Sequence, residues 1–316
     1  MSTYIISKRK DSANFMAWKE SEIPINKFVE LGARHMHAED FLSDHVRDVN
    51  EEDTVIIYYS LHEQEHKRIF RELKCVKVLR TLDAKSTDGI VHRKSLEFHQ
   101  EIGGFDFWLI GIPNKEYNSV LSDRGIRGIN FTHCTNFNDI DSPENVFKGK
   151  SRDIIVSGQL HEKYYPVRWN ILQALQQQDE FLGNYLPHPG YEMDALRHPY
   201  VGDAYIDLCK IFWSGPVGTG HADGLHMKFL EFAKSYTIPL GNTPSYMDPT
   251  AASEVVKVGL GEPISETYRI LRNLFDDKEA LKDRIVRYSK AIRKTYDVNV
   301  IVPEVYEKIL HRNFDF

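Results

Sequence analysis

Short apolar runs alternate with longer amphipathic stretches along most of this chain, the pattern of a parallel sheet covered by helices on both faces. In the first half, residues 4–7, 54–60 (TVIIYYS), 75–82, 105–111 (FDFWLIG) and 128–134 read as strands. Helical stretches fall between them near residues 62–73, 93–101 and 115–122. Residues 136–150 (NFNDIDSPENVFKGK) are then polar and rich in turn formers, which marks a linker or a surface loop. Beyond it the same grammar restarts. Strands are predicted at residues 152–158, 211–215 and 237–241, with helices near 167–178, 203–210 and 224–235 and a helical tail over 265–275, 278–295 and 302–311. The two series predict an α/β protein of two Rossmann-like domains, residues 1–140 and 141–316, facing each other across a cleft.

Composition narrows the class. The chain has 316 residues, enough for two domains, and its 41% hydrophobic and 27% charged content lies near the globular average. A net charge of −6 argues against a general nucleic-acid binder. Cys75, Cys134 and Cys209 are far apart and form no C-x-x-C, so reduced thiols in a cytoplasmic protein are expected. The N-terminus lacks the apolar core of a signal peptide, and no run is long and apolar enough to predict a transmembrane segment.

The candidate chemistry lies in the second half. Residues 211–240 read as a strand ending in Ser214-Gly215, a loop with Gly218, Thr219, Gly220 and Gly224, and a helix carrying Lys228 and Glu231. Glycines let backbone amides approach an anion, and a helix N-terminus adds partial positive charge. Lys228 can neutralise a diphosphate, and Glu231, three residues on, lies near the same helix face to accept from ribose hydroxyls. The bland alternative is a turn-forming loop followed by a solvated ion pair. His188-Pro189-Gly190-Tyr191 is a turn on the ligand-binding rim of such a fold, or simply an exposed turn. Ser157-Gly158 at a strand end leaves room for a ligand, or for tight strand–helix packing.

The order of these features resembles the C-terminal domain of the CgeB-like (spore-maturation type) glycosyltransferases, relatives of the large GT-B families. The resemblance runs over roughly residues 150–310. It rests on Tyr165-Pro166-Val167-Arg168, His188-Pro189-Gly190-Tyr191, Gly202-Asp203-Ala204-Tyr205, Lys228-Phe229-Leu230-Glu231 and Pro239-Leu240. It implies a GT-B fold and a hexosyl- or pentosyltransferase that uses a UDP- or GDP-sugar as substrate, with no bound cofactor, and a glycan or glycoconjugate as acceptor. By the same resemblance Glu231 binds the ribose, and Lys228 with the amides of Gly218, Thr219 and Gly220 holds the diphosphate. His188 and Tyr191 then face the sugar or phosphate, and Ser157 and Gly158 line the donor site. The sequence departs from the family after the Glu231 helix, where Ala233–Thr237 contains no glycine, and this leaves the donor sugar open.

An inverting transfer needs a base for the acceptor hydroxyl. Asp83 and His62, each following a predicted strand, are the candidates, with His35 and His37 behind them. Asp139-Ile140-Asp141 has the spacing of a metal-binding carboxylate pair, but it falls in a polar linker rather than after an apolar strand, and no metal site is expected. Two other readings stay open: a non-catalytic nucleotide- or sugar-binding module (or degenerate transferase), and an NAD-dependent sugar-modifying enzyme. The second lacks the G-x-G-x-x-G expected after the first strand.

Overall fold

The structure is a computed structural model and describes residues 1–7, 15–58, 64–81, 93–113, 115–138, 140–177, 183–187, 200–220 and 223–316. The chain divides into two compact units, residues 1–133 with 298–316, and residues 134–297.

The first unit contains a six-stranded sheet: β1 (Thr3–Ser7), β2 (Arg34–His37), β3 (Thr54–Ile57), β4 (Val76–Thr81), β5 (Phe107–Ile110) and β6 (Gly128–Asn130). All pairings are parallel, in the order β2-β1-β3-β4-β5-β6. Its helices begin with α1 (Phe15–Glu30), α2 (Ala38–Asp40), α3 (Gln64–Glu72), α4 (Arg93–Glu101) and α5 (Lys115–Asp123). Val55, Ile56, Ile57, Phe107, Trp108, Leu109 and Ile110 are all buried. Strands covered on both faces read as continuous apolar runs, which is why the sequence pattern exposes them.

The second unit contains a five-stranded parallel sheet: β7 (Ser151–Ser157), β8 (Gly183–Leu186), β9 (Phe212–Pro216), β10 (Ile238–Gly241) and β11 (Val256–Lys257), in the order β11-β10-β9-β7-β8. Its helices are α6 (Pro143–Phe147), α7 (Pro166–Gln176), α8 (Asp203–Lys210), α9 (Met227–Lys234), α10 (Pro249–Glu254), α11 (Ile264–Asn273) and α12 (Lys278–Tyr296). Gly215 lets α9 approach the sheet: a Cβ there would meet Cζ of Phe232 at 2.6 Å and the Ile155 carbonyl oxygen at 2.8 Å.

The last helix, α13 (Val298–His311), packs against α1 and so belongs to the first unit, although the sequence pattern runs it on with residues 141–316. Its buried stripe of Val302, Val305 and Ile309 needs an apolar partner, and Tyr306 meets Phe28 edge-on at 5.7 Å. The tail beyond it lies along β6, where the Asp315 amide donates to the Gly128 carbonyl at 2.8 Å. No helix among the described residues is long and apolar enough to cross a membrane.

Candidate functional site

Strand order reverses beside β7: the chain leaves β7 for β8 on one side and returns to β9 on the other. In open parallel sheets ligands bind outside the carboxyl ends of the strands at such a reversal, because the flanking loops diverge there and leave a crevice. Ser157 and Gly158 occupy the end of β7, and residues 217–226 connect β9 to α9 at the same point.

Gly158 has φ +95°, and a Cβ there would lie 3.1 Å from Nη1 of Arg168 and 3.4 Å from Cε of Lys228. Glycine is therefore needed twice over, for its conformation and for the space that the two cationic side chains fill. Each cation stands against an aromatic ring. The Arg168 guanidinium is 4.6 Å from the centroid of Tyr165, and Nζ of Lys228 is 5.0 Å from that of Tyr205. Such stacking orients a cation against the ring face. Tyr205 is anchored in turn: its hydroxyl lies 2.6 Å from that of buried Ser157.

Glu231 stands one helical turn after Lys228, on the side of α9 away from buried Phe229, Leu230, Phe232 and Ala233. Burial raises its carboxyl above the ordinary range, against the opposing pull of Lys228 and Lys234. Glu231 keeps part of its surface in water, so this rise reflects the density of protein around it rather than full enclosure. No hydrogen bond reaches its carboxylate among the described residues. A partly buried carboxylate with no hydrogen bond among the described residues, at the reversal point of a sheet, is a candidate for ligand binding.

The loop before α9 is held in shape from β10. Asn242 accepts from the Thr219 amide at 3.3 Å and donates to the Thr219 hydroxyl at 2.8 Å. The Thr219 amide, expected to face a diphosphate, is thus engaged by Asn242, and the amides of Gly218 and Gly220 flank it. Gly220 and Asp223 take left-handed backbone, with φ of 61° and 50°. The Asp223 carboxylate accepts from the amide and hydroxyl of Ser245, and the Leu225 amide donates to the Tyr246 hydroxyl at 2.7 Å. His226 begins α9 without a side-chain cap bond. Between this loop and the start of α7 lies a small pocket, partly open to solvent, lined by Tyr165, Val167, Arg168, Gly218, Gly220 and Asn242.

Of the residues singled out in the sequence, Ser157, Gly158, Gly218, Thr219, Gly220, Lys228 and Glu231 all lie at this one end of the second sheet. His188, Tyr191, His62 and Asp83 lie outside the described residues, as does Asp139. Asp141 forms an ion pair with Lys210 at 2.6 Å. Sequence reasoning passed over Asn242 and Asp223, and it met Arg168 and Tyr205 only as letters of family motifs. Nothing local signals Asn242. Arg168 does carry a signal, as a cation in the first turn of an apolar helix that opens with Pro166.

No family profile and no curated protein sequence matches this chain. Solved structures do. Anabaena HepE in complex with UDP-glucose superposes with a TM-score of 0.61 at 9% identity, covering 98% of this chain and 99% of that one. An α,α-trehalose-phosphate synthase (UDP-forming) from Burkholderia vietnamiensis gives 0.60 at 11%, covering 99% and 100%. An α-glucosyltransferase in complex with UDP-glucose and abasic DNA gives 0.66 at 10%, covering 98% and 99%. At such identity the likeness is one of fold, and the fold is that of the GT-B glycosyltransferases.

Proposed function

We propose that this chain is a nucleotide-sugar glycosyltransferase of the CgeB-like kind that takes a UDP-hexose. The observation that carries this reading is the unbonded Glu231 carboxylate, one turn from Lys228 and beside the glycine loop at the strand-order reversal. In this reading the second unit binds the donor. Glu231 accepts from the ribose hydroxyls, and Lys228 with the amides of Gly218 and Gly220 neutralises the diphosphate. His188 and Tyr191 serve the sugar side. UDP is favoured over GDP because the similar structures are complexes with UDP or UDP-glucose.

The first unit holds the acceptor, a hydroxyl of a glycan or glycoconjugate. Two similar structures of an α-glucosyltransferase contain DNA, but the net charge of −6 disfavours a nucleic-acid acceptor here. In the reaction the bond from the anomeric carbon to the diphosphate oxygen breaks and the acceptor oxygen takes its place on that carbon. For an inverting transfer the acceptor proton passes to a base of the first unit: His62, Asp83 or His35. Burial, and then His37, lower the pKa of His35, which keeps its imidazole neutral and able to take a proton at pH 7. Catalysis comes chiefly from orientation and from stabilising the leaving diphosphate.

A melting-temperature screen against UDP, GDP, CDP, dTDP, ADP and NAD, followed by an assay for UDP release from UDP-glucose, tests the reading. UDP should raise the melting temperature and Glu231→Ala should abolish the rise. A shift without any turnover of the sugar nucleotide would favour a binding module, and a shift by NAD alone would sink the transferase reading.

A further inference from the structure

The first unit holds a histidine that the donor reading does not use. His99 stands in the last turn of α4, and its Nδ1 accepts from two donors at once. One is the Phe105 amide at 3.2 Å, the other the Trp108 indole Nε1–H at 3.1 Å. Turning the ring over would put a carbon in front of both N–H groups, so the two donors fix its orientation. A nitrogen that accepts must carry a lone pair, so His99 is neutral here, with its proton on Nε2. Trp108 is 0% exposed, and its indole N–H has no access to water while the turn stays closed.

The connection from α4 to β5 is built around this ring. Gly103 and Gly104 take left-handed backbone, with φ of 78° and 105°, and the Gly104 amide donates to the His99 carbonyl at 2.8 Å. The helix thus ends on glycine, which bears such a conformation without strain. A Cβ on Gly104 would lie 3.7 Å from Nε2 of His99. The imidazole also packs against the rings of Phe105 and Trp108, with centroids 5.9 and 5.7 Å away. One nitrogen atom therefore fastens the end of α4 both to the turn and to β5.

Protonation undoes that bond. An imidazolium carries N–H on both nitrogens, so a third N–H would face the two donors and neither bond could persist. The charged groups around the connection are already engaged elsewhere. Glu101 of α4 pairs with Lys67 of α3 at 2.8 Å, and its carbonyl accepts from Nε of Arg71. Asp106 accepts from the Lys77 amide of β4, and its carbonyl accepts from Arg127. Burial lowers the pKa of His99 below the ordinary 6.5, with no opposing charge. The closed turn thus holds this proton less tightly than an opened one. Closure is strongest above 6.5 and is lost as pH falls through the lowered value.

We propose that His99 is an acid-released clasp, whose protonation detaches the turn of residues 102–106 and the end of α4 from β5 while the rest of the first unit stays folded. The clasp lies at the amino end of β5, away from the carboxyl ends where ligands bind, and its failure would leave the donor reading untouched.

Nuclear magnetic resonance of the wild type and His99→Asn, taken from neutral pH down to about pH 5, tests it, with the Trp108 indole N–H as reporter. In the wild type the His99 Cε1–H resonance should titrate with a midpoint below 6.5. Protection of the indole N–H, corrected for intrinsic exchange, should fall by up to about tenfold per pH unit below that value, with far-ultraviolet circular dichroism unchanged. The amide oxygen of His99→Asn can accept in place of Nδ1 and does not titrate, so this variant should keep its protection throughout. A His99 midpoint at or above 6.5, or an equally steep loss of protection in the variant, overturns the proposal. Should the variant fail to fold, the wild type still decides: indole protection that ignores the His99 titration overturns it. Loss of circular dichroism in step with protection would mean global acid unfolding, and overturns it as well.

Discussion

The hydroxyl of Ser157, at the carboxyl end of β7, lies 2.6 Å from the hydroxyl of Tyr205, and the ring of the same tyrosine carries the ammonium of Lys228. One side chain thus ties the end of the sheet to the charge proposed to face the donor. Tyr205→Phe keeps the ring and leaves the Ser157 hydroxyl buried and unpaired. It should cost about 1–2 kcal/mol of stability in urea unfolding with UDP affinity nearly unchanged. Tyr205→Leu also removes the face beneath Lys228, and UDP affinity should fall about fivefold, the scale of one cation–π contact.

Glu231 should show opposite effects on stability and on binding. Its folded pKa is raised above the ordinary 4.5, so the native state holds this proton more tightly than the unfolded chain. That contribution is complete below the unfolded pKa and is lost as pH rises through the folded one, so stability falls with rising pH across that acid window. Glu231→Gln should flatten this part of the pH profile and raise stability near pH 7 by up to about 1 kcal/mol. The same substitution should weaken UDP by about tenfold or more, because an ionised acceptor of the ribose hydroxyls is gone. Wild-type UDP affinity should strengthen as pH rises over the same window. Melting curves and titrations at matched pH check both halves.

Gly158→Ala places a methyl group against Nη1 of Arg168 and Cε of Lys228 at a left-handed φ of +95°. A stability loss of about 1–3 kcal/mol is expected, with weakened UDP binding from displacement of both cations. Gly241→Ala should be far worse. Its Cβ would run into the carbonyl oxygen of Val217, which is backbone and cannot give way, so the second unit should fail to fold or yield insoluble protein.

Lys150 is half-buried, and its ammonium donates to the carbonyls of Lys210, Phe212 and Ser235 at 2.9, 2.7 and 3.2 Å. It gathers the end of α8, the start of β9 and the end of α9 on one group. Burial pushes its pKa down to about 7, against the opposing pull of Cys209. Lys150→Met is expected to cost about 3 kcal/mol in denaturant unfolding, since three carbonyls lose a charged donor at once. UDP affinity should survive in the fraction that remains folded.

The central strands were legible before any coordinates. A strand buried on both faces, such as β3 or β5, must be a run of apolar residues, and burial there is dictated by the run itself. The strands that escaped notice, β2 (RHMH), β8 (GNYL) and β11, lie at sheet edges. Edge strands need little apolar surface, and backbone pairing with a neighbour fixes them. The membership of α13 was equally hidden. Its apolar stripe announces a helix with a buried face, but only the packed chain shows that the face belongs to α1.

The candidate site divides the same way. Lys228 and Glu231 could be paired from the sequence because helical geometry places residues three apart on one face, a purely local relation. The glycine loop was visible because its composition marks a turn. Ser157, Arg168, Tyr205 and Asn242 come from four separate segments, and no local rule relates them. They meet because the strand order reverses at β7, which brings the ends of β7, β9 and β10 and the starts of α7 and α9 to one place. The sequence by itself determined the buried strands, the amphipathic helices and the short-range pair. Strand order, a property of long-range pairing between segments far apart in the chain, decided which charges share a crevice and left Arg168 there without a carboxylate partner among the described residues.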